Sequence, residues 1–235
     1  MKLLMILFAL GCMSVVGREM LIPPPQQTVL FEMSNNCEEL QPDTLDTLSH
    51  IQAYRALKQR MKIYRSQGFP KVTQQQFVYH ALVDSIFPYW YGTSWDFNGI
   101  TETPRKGKIA CGYFVSTTLR DLGIPLNRYR LAQKASSHII KDLCDPSQIQ
   151  TFRSRNTLYQ YLHDLPQNGL FVVGLSQHVG FILKNEEGIF FIHANYAGEQ
   201  LTVREAFRES AALQHSQVFV LGNLLESKKF LDSWK

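Results

Sequence analysis

The feature that most limits what this chain can fold into is a change of apolar period near Gly169. Before it, apolar residues recur at three- and four-residue steps over long stretches; after it, they come in short runs separated by turn residues. The first pattern lays one face of a helix on a core, and the second belongs to strands. Helices first and a meander of antiparallel strands afterwards predict an α+β fold, with N-terminal helices packed on an antiparallel sheet. Leu48, Ile51, Tyr54, Leu57, Met61 and Tyr64 mark a helix within 41–67, with Asp43 or Thr44 to cap it and Gly68 and Pro70 to end it. A second helix from Thr73 turns Phe77, Ala81, Val83 and Ile86 inward and stops at Pro88, after which 89–99 reads as loop. Over 109–122, Cys111, Val115, Leu119 and Leu122 share a helical face closed by Gly123 and Pro125, and further helices are expected over 128–143 and 152–165. Strands are expected at 170–175, 178–183, 189–195 and 217–221, with a hairpin turn at 185–188 and a short helix over 203–213.

Length and composition bound the function class. The 235 residues, 45% hydrophobic and 19% charged, suit one globular catalytic-sized domain and exclude a disordered chain. A net charge of +4, scattered along the sequence, favours approach to anionic polymers without selecting one. Residues 1–17, with Lys2 ahead of an apolar run and small residues after it, have the layout of a secretory signal, so export to the periplasm or cell envelope is expected. Two processing readings stand side by side: ordinary cleavage after Gly17, or a lipoprotein box ending at Cys12, the only route to a membrane. The expected organisation is a signal (1–17), an N-terminal extension with one long helix (18–72) and a catalytic domain (73–235). After removal of the signal, Cys37, Cys111 and Cys144 remain; a Cys37–Cys144 disulfide would leave Cys111 free, and three buried thiols are the alternative.

A thiol becomes a nucleophile when its pKa is lowered, and a helix N-terminus or a neighbouring imidazole does this. Cys111, at the head of its helix, has the first device, so a depressed pKa is expected, although a core cysteine fits its apolar stripe as well. His178 opens one strand and His193 lies near the end of the next, so two hairpin-paired strands bring the rings together. In that arrangement His178 takes the thiol proton and His193 orients it. Arg128, Arg130 and Lys134 read as a solvated basic face. Paired metal-ligand spacings such as Cys-x-x-Cys are missing, as are a basic stripe and a nucleic-acid module, so no metal, cofactor or nucleic-acid partner is expected.

These residues resemble the NlpC-type cell-wall endopeptidases of the papain-like superfamily. The resemblance spans 76–221 in three blocks: Pro88-Tyr89-Trp90-Tyr91-Gly92, Cys111-Gly112-Tyr113-Phe114-Val115, and His178-Val179-Gly180-Phe181-Ile182 with Phe191-Ile192-His193-Ala194. It implies a papain-like fold with Cys111 as nucleophile, His178 as base, His193 as third member, Tyr89 beside the thiol binding the reacting carbonyl, and Asn195 as the alternative third residue. The implied reaction is cleavage of an amide bond in peptidoglycan stem peptides, and the chain is expected to act as a monomer. Ala110 and Gly112 depart from the family's Asp and Ser around the cysteine. Two alternatives stay open: a papain-like amidase or acyltransferase on a protein or small molecule, and an inactive envelope-binding module.

Overall fold

The computed structural model describes residues 47–67 and 71–234. The expected signal, Cys12 and Cys37 lie outside the described residues. Helix α1 (Thr47–Gln67) is followed by α2 (Lys71–His80), which runs through a π-helical turn (Ala81–Ile86) into α3 (Phe87–Trp90). Two short strands, β1 (Ser94–Trp95) and β2 (Lys108–Ile109), pair in parallel and lead into α4 (Cys111–Leu122). The expected 109–122 helix therefore starts at Cys111, because Ile109 is held in the β1–β2 pair. Gly123 closes α4 in the left-handed region (φ 110°), its N–H bonding to the carbonyls of Leu119 and Arg120.

The stretch 128–143 forms two helices, α5 (Arg128–Ala132) and α6 (Ser136–Leu143). Asn127 caps the first by accepting from the Arg130 N–H. Next come β3 (Ile149–Phe152), α7 (Arg155–Asp164), β4 (Gly169–Gly174), β5 (Val179–Asn185) and β6 (Gly188–Ala194). The hairpin between β5 and β6 pairs Asn185 with Gly188, whose φ of 142° only glycine adopts readily. The expected helix over 203–213 is instead the strand β7 (Thr202–Ala206) and the short helix α8 (Ala211–His215), followed by β8 (Phe219–Asn223) and α9 (Lys228–Ser233). Pairing overrides the helical reading there: Phe190 to Ala194 of β6 meet Ala206 to Thr202 residue by residue, and the β-branched Thr202 and Val203 suit a strand.

Six strands form one sheet in the order β3-β8-β4-β5-β6-β7, every neighbouring pair antiparallel. The fold is thus α+β. Because alternate residues of a strand point to opposite faces, the sheet feeds two cores. One face carries Val172, Val179, Phe181, Leu183, Ile192 and Ala194, packed with α1 to α6 around Phe87, Trp90, Phe114 and Val115. The other carries Phe171, Val173, Ile182 and Phe191, packed with Leu158, Leu162, Phe207 and Leu213. Each such side chain, fully buried, contributes about 1.5–3 kcal/mol. Helix α1 supplies Tyr54, Leu57 and Met61 to the larger core, and the Tyr54 hydroxyl donates to Asp121 of α4 (2.8 Å) while accepting from the Trp90 indole (2.8 Å). No helix among the described residues is long and apolar enough to cross a membrane.

Arg128 is buried, contrary to the solvated face expected of it. Its Nε donates to Thr117 Oγ1 (2.6 Å), its Nη2 to the carbonyls of Ile100 (2.7 Å) and Thr101 (2.8 Å), and its plane lies over Tyr113, 4.7 Å from the ring centre. A fork of five donors can bind a helix and a loop at once, which a lysine cannot. The guanidinium thereby ties the loop that delivers Cys111 to the helix that Cys111 begins.

Candidate active site

Cys111 is the first residue of α4. Ala110 ahead of it is extended (φ −85°, ψ 160°) and has no side chain able to cap, and the helix's first internal bond runs from the Phe114 N–H to the Ala110 carbonyl (2.8 Å). The helix N-terminus consequently has donors to spare. The N–H groups of Cys111 and Gly112, joined by that of Val179 at the start of β5, are directed at the sulfur and favour negative charge there.

Burial opposes them and prevails: it pushes the Cys111 thiol above its ordinary range, and the three N–H groups recover only part of the shift. The expected depressed pKa is therefore corrected. Desolvation of a thiolate outweighs the helix end, so the resting group is a neutral thiol.

Gly112 is required by a close approach of two helices. A Cβ there would lie 2.4 Å from the Ala132 carbonyl oxygen, because α5 crosses directly over the first turn of α4. Any side chain at this position, serine included, would force the two helices apart.

His178 sits on the tight connection between β4 and β5, where the Leu175 N–H donates to the His178 carbonyl (2.8 Å). Its Nε2 lies 2.8 Å from His193 Nδ1 on β6, and the two rings meet edge to face with centres 5.0 Å apart. His193, completely buried, stacks on Phe191 (centres 4.0 Å) and places its Nε2 2.9 Å from Glu205 Oε1 on β7. Register explains the last contact: Val203 is the direct partner of His193, so Glu205 is the diagonal neighbour two residues along on the same face. Gly180 leaves the space these rings use, since a Cβ there would come within 2.8 Å of His193 Cβ and 2.7 Å of Phe191 Cε2.

Electrostatics follow from this enclosure. Burial pushes His178 well below the ordinary histidine range, and the neighbouring His193 adds to the shift. His193 is lowered by burial too, with Glu205 restoring part. Burial pushes the Glu205 carboxyl upward, but hydrogen bonds from His193 and Ser210 outweigh it and hold the group below the ordinary carboxylate range. At neutral pH the set is a neutral thiol, two neutral imidazoles and one carboxylate.

Cys111 and His178 border one groove of about 490 Å³, together with Gly112, Ala132, Ser136 and Val179. The thiol enters it from the α4 side of the sheet, whereas His193 projects from the opposite face, between Ile192 and Ala194 of the larger core. His178, immediately before the first residue of β5, is where the two sides meet. Val179, whose N–H is one of the three directed at the sulfur, is the residue after His178, and among the described residues the thiol forms no hydrogen bond with the His178 ring.

Other expected positions lie elsewhere. The Tyr89 ring packs against His50 and Tyr54 of α1 (centres 4.9 and 5.2 Å), and Tyr89 is not among the residues lining the groove. Asn195 Oδ1 accepts from the Ala197 N–H (2.9 Å) in the turn after β6, and the contact with His178 belongs to His193. Cys144 is a buried free thiol over Gly222, its pKa pushed up to about 12 by burial and then by Asp145. Sequence reasoning missed Glu205 and also Tyr196, whose ring lies 5.1 Å from that of His178. The helix expected over 203–213 concealed Glu205; its parity with Val203 in a β-branched run was the available signal. Among the described residues no cluster of three or more His, Cys, Asp or Glu is arranged to hold a metal ion.

No family model, curated protein or solved structure matches the chain, so the geometry above has to carry the functional reading.

Proposed function

We propose that this chain is a cysteine hydrolase of the papain-like NlpC type that cleaves an amide bond in peptidoglycan stem peptides through a thioester. The observation that carries the reading is the shared groove: a thiol on the first residue of a helix with three backbone N–H groups directed at it, bordered by a histidine whose Nε2 is tied to a second histidine. Nε2 of His178 is committed to His193, which leaves Nδ1 as the atom that takes the proton from Cys111 as sulfur attacks the carbonyl carbon. The tetrahedral oxyanion is held by N–H groups at the start of α4. His178 then returns the proton to the leaving amine as the C–N bond breaks. Water, deprotonated by the same nitrogen, attacks the thioester, releasing the carboxylate and the restored thiol.

The neutral resting pair fits this order of events, since the proton moves during attack and not before it. The stem-peptide substrate rests on the order of the three sequence blocks and on the expected export. Digestion of purified peptidoglycan followed by mass spectrometry of soluble fragments tests it. Wild type should release stem fragments, and Cys111→Ala and His178→Ala should release none while keeping melting temperatures within a few degrees. Release by the Cys111→Ala variant would sink the mechanism. Trapping of a thioester on Cys111 with a non-wall amide, in the absence of wall fragments, would favour an amidase or acyltransferase instead.

A further inference from the structure

We infer that Glu205 is the residue that decides which nitrogen of His178 carries the proton, and so makes Cys111 activatable; this rests on His178 acting as the base. The argument runs along one hydrogen-bonded line. Glu205, as a carboxylate, only accepts, and it receives two donors: the Ser210 hydroxyl and Nε2–H of His193 at 2.9 Å. Ser210 is fully buried, and its oxygen also accepts from the Leu213 N–H (3.3 Å), which fixes the hydroxyl as a donor toward Glu205.

With its proton on Nε2, neutral His193 presents a bare Nδ1. That atom lies 2.8 Å from His178 Nε2 and must accept from it. His178 then carries its proton on Nε2 and keeps Nδ1 free as a base. Reverse the first step and the whole line reverses: a donor at position 205 would move the proton of His193 to Nδ1, convert His178 Nε2 to an acceptor, and place a proton on the nitrogen that has to receive one. His193 is completely buried, so its two nitrogens have only Glu205 and His178 as partners among the described residues. The charged and titratable groups around this line are few. Cys111 borders the same groove as His178, Tyr196 covers that ring, and Arg204 is engaged with Glu187 and the Phe190 ring.

Glu205→Gln is the decisive variant, because a glutamine keeps the shape and can turn its amide N–H toward His193 while its oxygen still accepts from Ser210. In wild type, nitrogen-15 spectra of the histidine side chains should show His178 and His193 both protonated on Nε2. In Glu205→Gln, His178 should shift toward the Nδ1-protonated form. Alkylation of Cys111 by iodoacetamide at pH 7 should slow by ~10- to 100-fold, within the ~10²–10⁴ that a positioned base contributes. Glu205→Asp, an acceptor of the same charge, should restore the wild-type spectrum and part of the rate. Wild-type spectra and an unchanged alkylation rate in Glu205→Gln overturn the inference. If that variant does not fold, the wild-type spectrum decides alone, since Nδ1–H on either ring overturns it. The spectra need no substrate, so the failure of wall digestion would remove the proposed hydrolase while leaving the tautomer assignment standing or falling by itself.

Discussion

Replacing Gly112 with alanine sets two physical effects of opposite sign against each other. Helix propensity alone favours the change by about 1 kcal/mol. Packing opposes it: the new Cβ would stand 2.4 Å from the Ala132 oxygen and 3.2 Å from its Cα and carbonyl carbon, whereas ordinary contact begins near 3.4 Å. Helix α5 would have to retreat by about 1 Å, and the obstacle is backbone, which cannot rotate away as a side chain can. Overpacking of this kind costs about 1–3 kcal/mol, and the rigid neighbour places it toward the upper end. The net expectation is a loss of about 1–2 kcal/mol. In a domain of this size each kcal/mol moves the midpoint by about 2–4 °C, so the melting temperature should fall by about 2–8 °C. Calorimetry supplies the midpoint, and urea unfolding should show a lower midpoint with an unchanged slope. A melting temperature equal to or above that of wild type would refute the reasoning, because propensity would then have prevailed and α5 would not be pressed on α4 as described.

Three other outcomes follow from the same geometry. Folded His178 and His193 resist protonation, so below their ordinary value of 6.5 the unfolded chain binds protons that the folded chain refuses. Stability should therefore fall as pH drops below 6.5, with His50 adding to the same sign; a flat urea-midpoint profile would contradict this. The rate constant for iodoacetamide with Cys111 at pH 7 should be lower than that of a small unhindered thiol and should still be rising at pH 9, whereas a plateau below pH 7 would show a thiolate already formed. Arg128→Lys should cost about 2 kcal/mol or more, because one ammonium cannot replace three separate charged hydrogen bonds and a stacked plane, and an unchanged urea midpoint would refute the role assigned to the fork.

The elements that sequence periodicity recovered are those whose own residues determine their environment. Helix α4 was legible because Val115, Leu119 and Leu122 repeat on one face and Gly123 ends it; β5 and β6 were legible because two apolar runs flank a short polar turn. Edge strands were not. β7 carries Val203 and Glu205 on one face and Arg204 on the other, so both faces mix polarity with apolar surface, and its identity comes from the ladder with β6. Losing β7 as a strand meant losing Glu205 from the site, although His178 and His193 were read as neighbours. The pKa of Cys111 failed for a related reason: the helix end is visible in the sequence, and the depth at which the sulfur lies is not. Arg128 shows the same limit, since a charge pattern does not reveal that loop carbonyls and a threonine hydroxyl surround the guanidinium. Tyr89, expected at the start of a loop beside the thiol, lies in α3 with its ring turned toward His50 and Tyr54, a bearing around the helix axis that the sequence does not display.

That last point comes from the π-helical turn at Ala81–Ile86. Such a turn accommodates one surplus residue, and one residue corresponds to ~100° of azimuth in an α-helix. The bearing of the aromatic run that follows is thus governed by a count. Insertion or deletion of a single residue in this turn would act like a rotary dial, swinging Phe87, Tyr89 and Trp90 to new compass points while hardly altering the length of the rod. A lineage could in this way exchange the ring that faces α1 without substituting any aromatic residue.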